Sequence, residues 1–250
     1  MNAPTSPGAP SSRQPYRRRV GYSRTARTAL ALLSFKFAAS LPLHAKAPAP
    51  RPQISFDYTR PGLPTPKFTL TVSADGTGTY AGQEVLAPSH YSNLPTAPRP
   101  FERAVTLSDA TTKKIFDLAG STPFSDSLCA SKAKNIADTG TKIIAYTSAG
   151  ERRSCTYNYT EQKEVAALTT LFLNLAETMD EGRRLEFMHR FDRLGLDAEL
   201  ISFTRELDEG RAMEPSTIAP TLHSLADDSA LLQRVRTRAA ALLAKIPQTQ

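Results

Sequence analysis

The chain has 250 residues, 31 lysines and arginines against 24 acidic residues, a formal net charge of +7 and a pI near 9.5. Eight basic residues and no acidic one fall in the first 47 positions, so the remainder sums to about −1 and the basic character belongs to the leader. A surface selected for nucleic acid keeps its positive excess in the folded part, clustered on one face, and this distribution sets DNA and RNA aside as expected partners.

The leader runs in signal-peptide order. Arginines up to Arg27 form a basic region, "TALALLSFKFAA" an apolar one, and Ala45 and Ala47 stand in the A-x-A arrangement that a signal peptidase accepts. Lys36 interrupts the apolar stretch, which falls short of the roughly 20 residues a spanning helix needs. Residues 1–47 are therefore expected to be a signal peptide, and the protein periplasmic or secreted. An arginine-rich, acid-free start also describes an organellar transit peptide, which stays open as the alternative. The pair Arg18-Arg19 lacks the apolar continuation of twin-arginine export, since "VGYSRTA" follows it. Residues 48–53, "PAPRPQ", read as an extended Pro-rich spacer. No later stretch approaches membrane-spanning length, so the mature chain is expected to be soluble, without a membrane span.

In "KFTLTVSADGTGTYAG" the alternation of Phe68, Leu70 and Val72 predicts a strand, and Asp75-Gly76 a turn into a second. A three-residue loop with Gly76 left-handed would pair Leu70 with Tyr80 and gather Phe68, Leu70, Val72 and Tyr80 on one face. The stretch from Glu84 to Pro100 reads as a long loop. "RAVTLS" predicts a strand leading into a helix capped by Ser108, with Ile115, Phe116 and Leu118 apolar and Gly120 at its end. "TKIIAYT" and "RSCTYNY" flank "SAGE" as a second hairpin, with Ile143 and Ala145 on one face and Ile144 and Tyr146 on the other.

After Thr160 the period changes to that of a helix. Val165, Leu168, Leu171, Phe172, Leu175 and Met179 form one apolar stripe, and a second helix from about Glu181 is expected to turn Leu185, Met188, Phe191 and Leu194 inward. A third spans about 197–209. Ser216 is a candidate cap for a fourth and Asp228 for a last one. Strands in a block followed by helices in a block imply an α+β fold: a small antiparallel sheet with one or two packed helices over 54–160, then four to five helices over 161–250. "TYNYTEQKEVAAL" passes from strand to helix without proline or glycine, so the two regions are expected to share a core.

The spacing Asp75-Gly76-x-x-x-Tyr80-x-Gly82, followed by strand, helix and hairpin, resembles a family of uncharacterised bacterial exported domains of unknown function, over about residues 66–160. The resemblance implies a small sheet domain of the cell envelope and no particular reaction; the cysteine expected ahead of the first hairpin in such domains is absent here. "IAPTLHSLADDSALLQRVRTRAAALLA" is similar to one helical pair of a HEAT-type repeat, and a single pair reads as an ordinary helical hairpin.

Both cysteines, Cys129 and Cys155, bracket the second hairpin. In an exported chain an even count predicts a disulfide between them, while a Cys155 thiolate activated by Arg152 and Arg153 would need both arginines on its face, and alternation places only Arg153 there. His90, His189 and His223 lack the spacing of a metal motif. His189 and Asp192, three residues apart on a helix, read as a surface pair. "ADGTGTY" has one carboxylate where calcium needs several oxygens. The pairs Asp180-Glu181 and Asp208-Glu209, each followed by glycine, read as solvated helix junctions. Tyr157 and Tyr159 read as half-buried cross-strand partners. No G-x-S-x-G, phosphate-binding or dinucleotide motif is present, so no catalytic, cofactor-binding or metal residue is expected. The expected function is a non-catalytic binding or scaffolding module of the cell envelope, its partner an envelope protein or a small ligand. The alternative is an envelope hydrolase with a site assembled from distant residues.

Overall fold

Alternation of large apolar with small polar side chains builds the sheet. A computed structural model describes residues 51–85 and 97–246, all within one unit, Ala47–Gln250. Strands β1 (Gln53–Thr59), β2 (Lys67–Ser73), β3 (Thr77–Glu84), β4 (Arg99–Thr106), β5 (Thr141–Ser148) and β6 (Glu151–Tyr157) pair antiparallel in the order β4-β3-β2-β1-β5-β6. Ile54, Phe56 and Tyr58 of β1, Phe68, Leu70 and Val72 of β2, and Tyr80 of β3 are buried on one face. The opposite face carries Ser55, Thr69, Thr71 and Thr79, the pattern of an antiparallel sheet with one face toward water. Gln53 already belongs to β1, so the expected spacer is one residue too long.

The first hairpin has the three-residue loop that pairs Leu70 with Tyr80. Gly76 sits at φ +79°, where L side chains are strained, and a Cβ there would lie 2.9 Å from Thr112 Oγ1. The Asp75 carboxylate accepts from the Thr77 amide at 3.0 Å, closing the turn. In the second hairpin Ile144 pairs with Cys155 and Tyr146 with Arg153, and Ile144 and Tyr146 face the core. Of the long loop expected over 84–100, Glu84 belongs to β3, Arg99 and Pro100 to β4, and 86–96 lie outside the described residues.

Helix α1 (Asp109–Ser121) starts at Ser108, whose hydroxyl accepts from the Thr111 amide at 3.3 Å. A single turn, α2 (Asp126–Cys129), follows before β5. Helix α3 (Lys163–Phe191) then crosses the buried sheet face, followed by α4 (Leu196–Asp208), a 3-10 turn (Pro215–Ile218), α5 (Ala219–Asp227) and α6 (Gln233–Ala244). Strand residues such as Phe56 and Leu70 and helix residues such as Phe172, Leu200 and Leu222 belong to one apolar cluster.

The course of α3 can be followed strand by strand. Thr169 meets the Tyr157 hydroxyl of β6 at 2.6 Å, the Phe172 ring stacks on Phe56 of β1 at 5.2 Å, Asp180 accepts from the Tyr80 hydroxyl of β3 at 2.9 Å, and Glu186 pairs with Arg103 of β4 at 2.9 Å. From Thr169 to Glu186 the rise is roughly 25 Å at 1.5 Å per residue. Five strand spacings amount to about 24 Å, so α3 lies across the strands and reaches the sheet's far edge at Glu186.

Three helical expectations need correction. The two helices predicted on either side of residue 180 are the single 29-residue α3; Gly182 does not end it, because Ile218 packs against the bare glycine backbone. Phe191 and Leu194, expected inward, are exposed, because they lie past the point where the sheet ends. Ser216 and Asp228 do not cap helices: Ser216 donates to Glu214 at 3.2 Å inside the 3-10 turn, and Asp228 accepts from the Ala230 amide at 2.8 Å, five residues before α6 begins.

Candidate functional site

A cleft of about 360 Å³ opens between α3 and the loop joining β1 to β2. Its apolar wall comes from the cross-strand partners Tyr58 and Phe68, whose rings lie 5.4 Å apart, from Leu63 and Pro64 of the loop, and from Leu173 and Ala176 of α3. Helical periodicity continues this face along α3 as Glu177, Asp180, Arg183, Arg184 and Phe187. One stripe thus changes from apolar to charged, then to aromatic at the lip.

Arg183 is held on three sides. Its guanidinium donates to Asp180 at 2.7 Å, pairs with Glu84 at 2.8 Å and lies 3.6 Å over the Phe101 ring. Asp180 also accepts from Tyr80, whose hydroxyl is raised far above its ordinary pKa by burial and then by the Asp180 charge, and so stays a donor. Both charges of Arg183 and Asp180 are therefore satisfied internally. Glu177 is different: among the described residues no hydrogen bond or ion pair holds its carboxylate, and partial loss of water raises its pKa, with Arg184 pulling the other way.

On the next face of α3, Glu181 is only 4% exposed and lies against Glu199 of α4. Arg184 bridges the pair, at 3.2 Å from Glu181 and 2.6 Å from Glu199. Burial first, and the neighbouring acids Glu199 and Glu177 next, push Glu181 to about 8 despite the arginine. At neutral pH it is a carboxylic acid in a helix interface, and it does not line the cleft. The expectation of a solvated junction at Asp180-Glu181 is overturned, since both residues are mid-helix and packed. Asp208 and Glu209 are exposed, at the end of α4.

Cys129 and Cys155 form a disulfide with Cα atoms 6.0 Å apart. It ties α2 to the edge strand β6, where the Asp126 carboxylate accepts from the Thr156 amide at 2.7 Å. Covering an exposed strand edge in this way protects it from pairing with other chains. The loop after Cys129 is held at its far end by Lys142. Its buried ammonium donates to the carbonyls of Thr139, Gly140 and Asn158 and to the Thr139 hydroxyl at 2.8–3.1 Å, and burial lowers its pKa. Arg153 shares the Cys155 face and lies over the Tyr146 ring, while Arg152 is exposed.

His189 bonds Asp228 at 2.8 Å, in the link between α5 and α6, rather than Asp192, whose carboxylate accepts from the Gly195 amide. His223 is exposed, and His90, Ala45 and Ala47 lie outside the described residues. Tyr157 is buried beneath α3, and Tyr159 is exposed. Among the described residues no group of three His, Cys, Asp or Glu side chains is placed to hold a metal, and no helix is long and apolar enough to cross a membrane. The cleft residues went unrecognised in the sequence because only the apolar stripe was followed past Leu175; the signal was the second stripe, at 173, 176–177, 180, 183–184 and 187.

No family model matches the chain, and no curated protein matches it.

Proposed function

We propose that this is an exported, non-catalytic binding module of the cell envelope, and that the cleft beside α3 takes a cationic group carried on an apolar body, such as a lysine or arginine side chain within an apolar peptide segment. The observation that carries this reading is Glu177: a carboxylate that no hydrogen bond or close ion pair holds among the described residues, beside an apolar wall and next to Arg183, whose own charge is already matched. A bound cation favours the ionised form of Glu177, and the apolar body covers Tyr58, Leu63 and Phe68. Export is supported by the leader and by the Cys129–Cys155 bridge, which suits an oxidising compartment. A hydrolase is supported less well. Both thiols are joined, and His189 holds Asp228, with no serine hydroxyl bonded to either imidazole among the described residues.

The test is calorimetric titration with two short leucine peptides, one carrying a central lysine and one a central glutamate. The lysine peptide should bind, and Glu177→Gln should weaken it about tenfold, the loss of one charge-assisted contact, without lowering the unfolding midpoint. Equal affinity for the two peptides, or binding indifferent to Glu177→Gln, would overturn the assignment. Intact mass of the protein recovered from its native host tests export; the expected N-terminus is Pro48, and a full-length soluble cytoplasmic form would defeat it.

A further inference from the structure

The far end of α3 outruns the sheet. Glu186 is already paired with Arg103 on β4, the edge strand among the described residues, so the helix continues past the described sheet. The residues that follow are among the most exposed apolar side chains described: Phe187 at 50%, Phe191 at 72% and, in the turn after the helix, Leu194 at 79%. The two phenyl rings pack on each other at 4.9 Å, with Phe187 at the lip of the cleft. Core packing explains none of the three, and together they form a contiguous apolar tip rather than scattered exposure.

Arg190 and Arg193 are interleaved with these side chains and exposed. Among the described residues neither has an acidic partner; the Arg193 Nε donates only to the His189 carbonyl, at 3.1 Å. Of the acids nearby, Asp197 is shared by Arg234 and Arg238 of α6, Asp192 accepts from the Gly195 amide, and Asp228 bonds His189 and also feels the Arg193 charge, though the two form no close ion pair. A chain that sums to about −1 beyond its leader therefore presents, at this corner, two exposed arginines in no close ion pair among the described residues, beside protruding phenylalanine and leucine.

We infer that the Phe187–Leu194 corner docks on an anionic lipid surface, with Phe191 and Leu194 entering the interfacial layer and Arg190 and Arg193 against the headgroups. The combination of aromatic or aliphatic side chains with unpaired arginines is that of an interfacial contact. The shape also favours a bilayer, because a protruding tip inserts where a groove would receive. A second copy of the chain fits less well, since a two-fold contact through this tip sets each arginine pair against its own image.

The experiment is vesicle co-sedimentation of the chain beginning at Ala47, which contains the whole apolar cluster and removes the basic leader from the measurement. Vesicles with about one-third phosphatidylglycerol in phosphatidylcholine should bind it, and pure phosphatidylcholine should bind it at least tenfold more weakly. Arg190→Gln with Arg193→Gln should lower binding to the anionic vesicles at least tenfold, and Phe191→Ser with Leu194→Ser should do the same, with circular dichroism showing that both variants fold as the parent does. Glu177→Gln should bind vesicles as the parent does, which separates this surface from the cleft. Equal binding to both vesicle types, binding indifferent to the tip variants, or a dimer in light scattering that Phe191→Ser abolishes would each overturn the inference, the last by assigning the tip to a second copy.

Discussion

The two halves of α3 obey different rules within one continuous helix. From Val165 to Ala176 the buried positions are apolar without exception, and Phe172 stacks on Phe56 at the centre of the sheet. From Glu177 to Phe191 the same helix carries Asp180, Glu181 and Arg183 in partly or fully buried settings, lines the cleft, and ends in exposed phenylalanines. The first half supplies the packing that lets the second hold charges out of water. A stable scaffold beside strained or under-satisfied polar groups is the usual division between fold and site.

The largest expected effect tests the first half. Phe172→Ala should cost about 3–5 kcal/mol, because a fully buried ring in contact with Phe56 leaves a cavity that β-sheet and helix backbones cannot close. Urea unfolding measures it. A loss below about 1 kcal/mol would mean that α3 is anchored elsewhere and that its halves do not differ as described.

How much of this was readable depends on the kind of force involved. Alternation and turn chemistry are local, so the hairpin that pairs Leu70 with Tyr80, the Gly76 turn, the Ser108 cap and the β5–β6 hairpin were all legible from a few neighbouring residues. The Cys129–Cys155 bridge was legible because two cysteines leave one pairing. The helix junction predicted at Asp180-Glu181 failed because the glycine that follows it serves to admit Ile218, 36 positions on. Likewise, Glu181 reads as a surface acid in any window of sequence. Only the arrival of α4, with Glu199, buries it, and only the width of the sheet decides that Phe191 stays exposed.

The second half can be probed through pH. Glu181 has an ordinary value of 4.5 when the chain is unfolded and about 8 when folded. The folded state therefore holds its proton more tightly, and the contribution is fully present below about pH 4.5 and lost as pH rises through about 8. The acid-side losses of Asp75, Asp228 and Glu206, whose pKa values are lowered by hydrogen bonds from Thr77, His189 and Arg211, run in the opposite direction and at lower pH. Glu181→Gln keeps the shape and a donor toward Glu199 without an ionisable proton. It should change the midpoint little at pH 5 and stabilise the protein at pH 9 by about 4 kcal/mol, an order-of-magnitude figure from the move between 4.5 and about 8. Thermal unfolding from pH 5 to 9 reads this directly. Parallel curves for parent and variant would show that Glu181 is ionised throughout and that the interface is hydrated.

The smallest effect concerns the seam between the halves. Gly182→Ala removes a residue that costs a helix interior about 1 kcal/mol relative to alanine, so helix propensity alone predicts a gain. Against this, the new Cβ would lie 2.4 Å from Ile218 Cγ2 and 3.1 Å from its Cβ. A branched side chain near its root cannot swing aside, and overpacking of this kind costs typically 1–3 kcal/mol. The clash should win by about 1 kcal/mol, giving a net loss. Ile218→Ala alone should also destabilise, through the cavity it leaves, while the double variant should be more stable than the two single losses add up to, because the alanine at 182 then occupies vacated space. Additive losses in that cycle would mean that α3 tolerates Gly182 for another reason, and a gain for Gly182→Ala alone would show that the 3-10 turn yields to the helix instead of fixing it.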